Sequence, residues 1–193
     1  MYNLKLQHMD ALENIILRNS PRVLTTPFPS KEQMDLVYKA AFRAPDHAWL
    51  RPSRFIQVTG ESITKLSKIF EKYASENIKD IDELKLQKYK QAPFRAPMII
   101  IIISNITDHP KVPEIEQMLS TAAAAQNILL ALNAINFAGM WRTGALALND
   151  TIGKYLGLEK QQRVLGYLYV GTPEDKPKRI PEIDINDFVT KWD

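Results

Sequence analysis

The sequence predicts an α+β fold: a central mixed, mainly antiparallel sheet surrounded by helices, with an extended C-terminal arm. Three observations predict it. Strand-like runs are few and are dispersed among longer helical ones. Two of them, residues 98–104 (MIIIIIS) and 163–171 (RVLGYLYVG), are almost wholly apolar, as in strands covered on both faces. Residues 117–141 carry no charge and read as one buried central helix.

The elements follow in order. Asp10-Ala-Leu-Glu13 is a capped helix start, with Leu12, Ile15 and Ile16 on one face, and Ser20-Pro21 stops that helix near Asn19. Ser30-Lys-Glu-Gln33 is a capping box, and Met34, Val37, Tyr38 and Ala41 continue at helical spacing until Pro45. Residues 55–59 alternate as a strand that Gly60 closes. Residues 61–91 give one or two amphipathic helices, broken by PFRAP at 93–97 before the first apolar strand. The loop 108–113 leads into the uncharged helix, which Trp141-Arg-Thr-Gly144 is expected to follow directly. A short helix starts near Asn149 and ends at Gly157. After the second apolar strand, prolines at 173, 177 and 181 mark an extended arm.

A chain of 193 residues, 45% hydrophobic and 24% charged, without internal repeats, fits a single domain. Its expected layout is residues 1–193 as one unit, a core over 9–180 and an arm over 181–193. With no cysteine there is no disulfide, thiol nucleophile or thiolate metal site, in agreement with a cytoplasmic protein. A net charge of +3 is mildly basic, and the lysines at 85–90 are interleaved with Leu86 and Tyr89 as on a solvated helix face, so no nucleic-acid partner is expected. Residues 117–141 are long enough to cross a bilayer, but Gln117, Gln126, Asn127, Asn133 and Asn136 would each need a partner in lipid. A buried helix with satisfied amides is the better reading, and no membrane partner is expected.

The seven glycines form neither a dinucleotide fingerprint nor a P-loop. The three histidines have no metal-ligand spacing, so no metal is expected. No GxSxG elbow is present, and no carboxylate pair stands out among the 22. What remains is cationic, in three places. Arg18-Asn19-Ser20 ends the first helix, where an anion would have to be held by side chains rather than by the helix terminus; alternatively, Arg18 only complements the dipole. Arg43 and His47 flank a rigid Ala-Pro turn, either as donors on a stiff corner or as a capped helix end in a surface loop. Trp141-Arg142-Thr143-Gly144 suits close approach of backbone to a flat ring, or a core tryptophan beside an exposed arginine.

RAPDH (43–47) with Pro52 and Phe55, PFRAP with its strand, HPKVPEIEQ (109–117), WRTGAL (141–146) and GYLYVGTP (166–173) occur in an order that resembles the nitroreductase family of FMN-dependent oxidoreductases, particularly its short bacterial NAD(P)H members. The likeness runs from about Met9 to Trp192. It implies a homodimer with two FMN sites, each built from both subunits. It places Arg18, Asn19 and Ser20 at the flavin phosphate and ribityl chain, Arg43 and His47 on the flavin of the partner subunit, and Trp141, Arg142 and Thr143 along the ring. It also matches Ala131, Leu132, Asn133, Ala134, Ile135 and Asn136 to a stretch that contacts NAD(P)H in relatives, although here they read first as core helix. The implied activity passes hydride from NAD(P)H through flavin N5 to a nitroaromatic, quinone or similar flat acceptor, with no catalytic side chain. A non-catalytic basic dimer that binds an anion or a protein is the alternative. Asn19 stands where relatives often carry a second arginine, and Arg51 where they often have an uncharged polar residue. Residues 1–8 have no assigned counterpart.

Overall fold

A computed structural model of the chain describes residues 10–174 and 178–192; the extension before Met9 and Pro177 lie outside them. Helix α1 (Ala11–Leu17) starts where Asp10 accepts from the Leu12 and Glu13 amides. Helix α2 (Lys31–Ala41) carries the full capping box between Ser30 and Gln33. Residues 61–91 form two helices, α3 (Glu61–Asn77) and α4 (Glu83–Gln91), and a 3₁₀ turn over Ala92–Arg95 follows. The central helix α5 is Glu114–Ala134 and the short α6 is Asp150–Tyr155, capped by Asn149.

The sheet has five strands: β1 (Leu24–Thr25), β2 (Ser53–Thr59), β3 (Met98–Asn105), β4 (Ala138–Arg142) and β5 (Gln162–Pro173), in the order β1-β5-β3-β2, with β4 also on β5. The sequence suggests a mixed sheet; among the described residues every pairing is antiparallel. β5 is long enough to pair with β3 along one side, and with β4 and then β1 along the other.

The period-two alternation of β3 divides the core. Ile99, Ile101 and Ile103 face α3 and α6 with Phe70, Ile152 and Tyr167. Met98, Ile100 and Ile102 face α2 and α5 with Val37, Ile128 and Leu132. Both sides of the strand are therefore dry, which is why it shows no polar alternation. The inward amides of α5 are bonded as a buried helix requires, while Gln126 is exposed: Gln117 brackets Thr107 through N–H and C=O (2.9 and 2.8 Å), and Asn127 donates to the Ala40 carbonyl (3.0 Å).

One boundary differs from expectation. The uncharged run is not helix to residue 141: α5 stops at Ala134, and residues 138–142 are strand β4. Asn136 turns the chain with φ of 63°, a conformation asparagine tolerates better than most residues. Gly139 then lets β4 lie against the helix, since a Cβ there would sit 2.5 Å from Leu129. Trp141-Arg142 therefore ends a strand on β5 rather than a helix.

Candidate functional site

β4 delivers Trp141 and Arg142 to opposite faces of the sheet. The Trp141 indole packs on the α5 side and donates to the Leu165 carbonyl (3.3 Å). Gly166 makes that possible: its φ is +143°, and a Cβ would fall 2.2 Å from the indole nitrogen. The β3–β5 register shifts at this point. Arg142 turns the other way, its guanidinium 5.2 Å from the centre of the Tyr169 ring and donating to the Arg22 carbonyl (3.2 Å).

The Nε of that group is buried and has no hydrogen-bond partner among the described residues. Burial, then the like charge of Arg95, holds the Arg142 pKa below the ordinary guanidinium value, and Arg22 adds to the effect. Burial in turn pushes the Tyr169 hydroxyl up to about 12, against the pull of Arg142 and Arg95.

Arg142 opens onto a cavity of about 390 Å³. Trp141, Thr143 and Gly144 line one wall, Tyr167 and Tyr169 the floor, and Lys88, Tyr89 and Arg95 the opposite wall. Three cations line it and no carboxylate does. Gly144 has φ of +73° with open space where a side chain would stand, so its role within the chain is the turn itself.

Four residues before Arg22, Arg18 caps α1 and its guanidinium donates to the Ser20 hydroxyl (2.8 Å) and the Asn19 carbonyl (3.2 Å). Asn19 donates to the Lys178 carbonyl (2.8 Å), and the Lys178 ammonium returns a bond to the Ser20 carbonyl (2.7 Å). The Arg18–Ser20 segment and the start of the arm are thus tied together.

Arg43 and His47 lie elsewhere. His47 sits 2.5 Å from Glu116 near the start of α5, whereas α1 is bonded through Asn14 to Leu130 and Asn133 near its end. At 1.5 Å rise per residue these anchors are about 25 Å apart along the helix. The corner is tightly built: Ser120 donates to the Pro45 carbonyl, Asp46 accepts from the Arg51 amide, and Arg51 stacks on Trp49. Ala48, Trp49 and Arg51 all have positive φ, near +55°, the kind of local strain that clusters at ligand sites. The Arg43 side chain is exposed and beside a shallow hollow of about 240 Å³. A single chain therefore ties Arg142 to the segment after Ser20 through the Arg22 carbonyl, and holds the His47 corner toward the other end of α5.

The whole arrangement can be compared with known proteins. The model of the nitroreductase family matches residues 15–172. YdjA of Escherichia coli K12, provisionally named an NAD(P)H nitroreductase, is 36% identical over 94% of this chain and 99% of its own. The chain belongs to the nitroreductase family. The nitroreductase-like family protein of Bacillus cereus shares the fold, with a TM-score of 0.82 and 21% identity over 98% of this chain and 99% of that one. The NADPH:FMN oxidoreductase of Vibrio harveyi, solved with NAD⁺, superposes with a TM-score of 0.71 and 20% identity over 95% and 77%. Nitroreductases are oxidoreductases, so the chain is an enzyme and not a passive anion-binding module.

In this nitroreductase, residues 131–134 are the last turn of α5, and Ile135 and Asn136 form its cap. Leu132 is fully buried, so its part in that run is packing; Asn133 is bonded to Asn14. Lys88, Arg95, Arg22 and Lys178 were not singled out by the sequence. Lys88 reads as one more solvated lysine of α4. Arg95 had a usable signal, since an arginine between Pro93 and Pro97, just before a core strand, is pinned in place. No described helix is long and apolar enough to cross a membrane, and no described cluster of His, Asp or Glu could hold a metal.

Proposed function

We propose that this chain is an FMN-dependent oxidoreductase of the cytoplasm that passes hydride from NAD(P)H to a nitroaromatic, quinone or similar flat acceptor. It works as a homodimer of single-domain subunits, each with a core over residues 9–180 and an arm over 181–193. The observation that carries the reading is the Arg142 cavity: a partly desolvated guanidinium whose Nε has no partner among the described residues, flanked by Arg95 and Arg22, in an aromatic pocket without a carboxylate. Such charge is costly unless an anion completes it. Neighbours of the same fold named as FMN oxidoreductases supply the cofactor that fits.

Arg18, Asn19 and Ser20 would hold the phosphate and ribityl end through charge-assisted bonds. Trp141, Arg142 and Thr143 would run along the ring, and Arg43 and His47 of a second copy would close the site. Bound there, FMN supplies the hydride chemistry at its N5. The protein's share is electrostatic and geometric. Arg142 favours an electron-rich ring over a neutral one, and the aromatic walls exclude water. No side chain is required as an acid or base in the hydride step. Residues near Asn136 would meet the nicotinamide donor.

Apolar surface left open supports the dimer. Leu12, Ile15 and Ile16 of α1 are more than half exposed, as are Ile115 and Leu119 on the outer face of α5. The arm presents Ile183, Ile185, Phe188, Val189 and Trp192 to solvent, and β2 is an edge strand with a free side. A second copy that packs α5 on α5 in reverse would bring its His47 end to the Arg18 end of the first.

The test is an absorbance spectrum of the purified protein, followed by anaerobic addition of NADH and NADPH. The expected result is a flavin band that bleaches with at least one of them. A colourless protein that takes up no added FMN contradicts the proposal.

A further inference from the structure

The cavity holds more positive charge than the cofactor would use. On the reading above, the FMN phosphate belongs to Arg18, Ser20 and their neighbours, and not to the far wall. That far wall, from α4 and the 3₁₀ turn, carries Lys88 and Arg95. Their neighbours are compensated: Lys85 pairs with Asp82 (3.6 Å) and Lys90 with Glu71 (3.0 Å). Among the described residues Lys88 and Arg95 make no ion pair, although the Asp82 carboxylate feels the charge of Lys88, and the cavity lining offers them no carboxylate. Tyr89 lies on the same wall, and Tyr167 and Tyr169 make the floor beside it aromatic.

We infer that this wall is a recognition site for electron acceptors that carry an anionic group, a carboxylate or phosphate ester on an aromatic ring, with Lys88 and Arg95 as the specificity-determining residues. The aromatic faces hold the ring beside the flavin position, and the two cations receive the acid. Neutral acceptors of the same shape gain the stacking and forgo the charge-assisted bonds. Because both residues are exposed, the preference is moderate and weakens as salt rises. The inference rests on the FMN reading for its chemistry but not for its binding.

The experiment compares para-nitrobenzoate with its uncharged methyl ester in wild type, Lys88→Gln, Arg95→Gln and the charge reversal Lys88→Glu. Calorimetry on the FMN-free and FMN-loaded protein reads binding, and kcat/KM reads turnover. Wild type should favour the acid in both, more so at low salt. Each glutamine variant should cut that preference about 5-fold to 10-fold, chiefly through KM, and Lys88→Glu should turn it toward the ester. FMN affinity should stay within about 2-fold in all of them, and thermal unfolding verifies that each variant folds.

Equal treatment of acid and ester by wild type overturns the inference, as does a preference the variants leave unchanged. A large loss of FMN affinity in the glutamine variants also overturns it, by assigning the wall to the cofactor phosphate. So does a loss confined to NADPH and absent with NADH, which assigns the wall to the donor. If the protein binds no FMN, calorimetry on the FMN-free chain still reads the acid preference, so the two proposals fail separately.

Discussion

The two cationic regions of the chain are built on opposite principles. Around Arg142 the structure gathers Arg95 and Lys88 in a lined cavity with no counter-charge, and leaves a guanidinium nitrogen without a partner among the described residues. Around His47 nearly every polar group is matched within the chain, by Glu116, Asp46 and the Pro45 carbonyl, while Arg43 alone projects outward. The first region is a cationic hollow; the second is a corner braced by its own bonds, at which the Arg43 side chain is exposed. Their separation along α5 is what a site shared between two copies would require.

Changes that damage only one region sharpen this contrast, and Gly166→Ala should have the largest effect. Its Cβ would strike the Trp141 indole and come within 2.8 Å of the Arg142 carbonyl, costing about 2–4 kcal/mol of stability in denaturant unfolding. It should also displace the Arg142 cavity while leaving the His47 corner in place. Arg142→Met should weaken FMN binding by about 1.5–3 kcal/mol in a titration. The melting temperature of the FMN-free protein should not fall, because an uncompensated charge is removed from a desolvated site. A drop in that temperature would mean that Arg142 is a structural cation and the cavity is not a receptacle.

Arg18→Ala is expected to cost FMN a similar or slightly smaller amount, since Arg18 is half-buried and supported by Ser20. Removal of residues 181–193 should loosen the dimer, visible as a shift toward monomer in light scattering; a truncated chain that stays dimeric removes the arm from the interface. The smallest effect is expected of Glu116→Gln. Its ion pair with His47 is exposed on both sides, so stability should change by less than about 1 kcal/mol. FMN affinity should fall only as far as His47 loses its orientation.

Much of the scaffold was legible because local chemistry and tertiary structure agree. Asp10, Ser30 and Asn149 cap the helices where the pattern places them, and the isoleucines of β3 are apolar on both faces because both are covered. β4 was not legible. Residues 135–142 hold no proline and no charge before Arg142, and the helix is ended by an asparagine in a left-handed conformation, which has no reliable sequence signal. The strand exists because β5 offers it a partner, a long-range fact that no window of a dozen residues contains. The candidate site divides in the same way. WRTG and RNS were visible as local clusters of donors, whereas Lys88 and Arg95 join them only through the packing of α4 against the sheet. The strain at Ala48, Trp49 and Arg51 is likewise a tertiary product, since none of the three is a residue type that favours positive φ.

The claim on which the account turns is that one chain supplies the Arg142 and Arg18 side of the cofactor site and a second chain supplies Arg43. Its most direct measurement is a mixed dimer. Arg18→Ala and Arg43→Ala chains, each unable to retain FMN in its own homodimer, are co-expressed with different tags, and the doubly tagged species is assayed for bound flavin. The account predicts one FMN per mixed dimer, because one of its two junctions pairs an intact Arg18 with an intact Arg43. Mixed dimers as empty as either parent would contradict it, by placing both arginines in the site of a single chain.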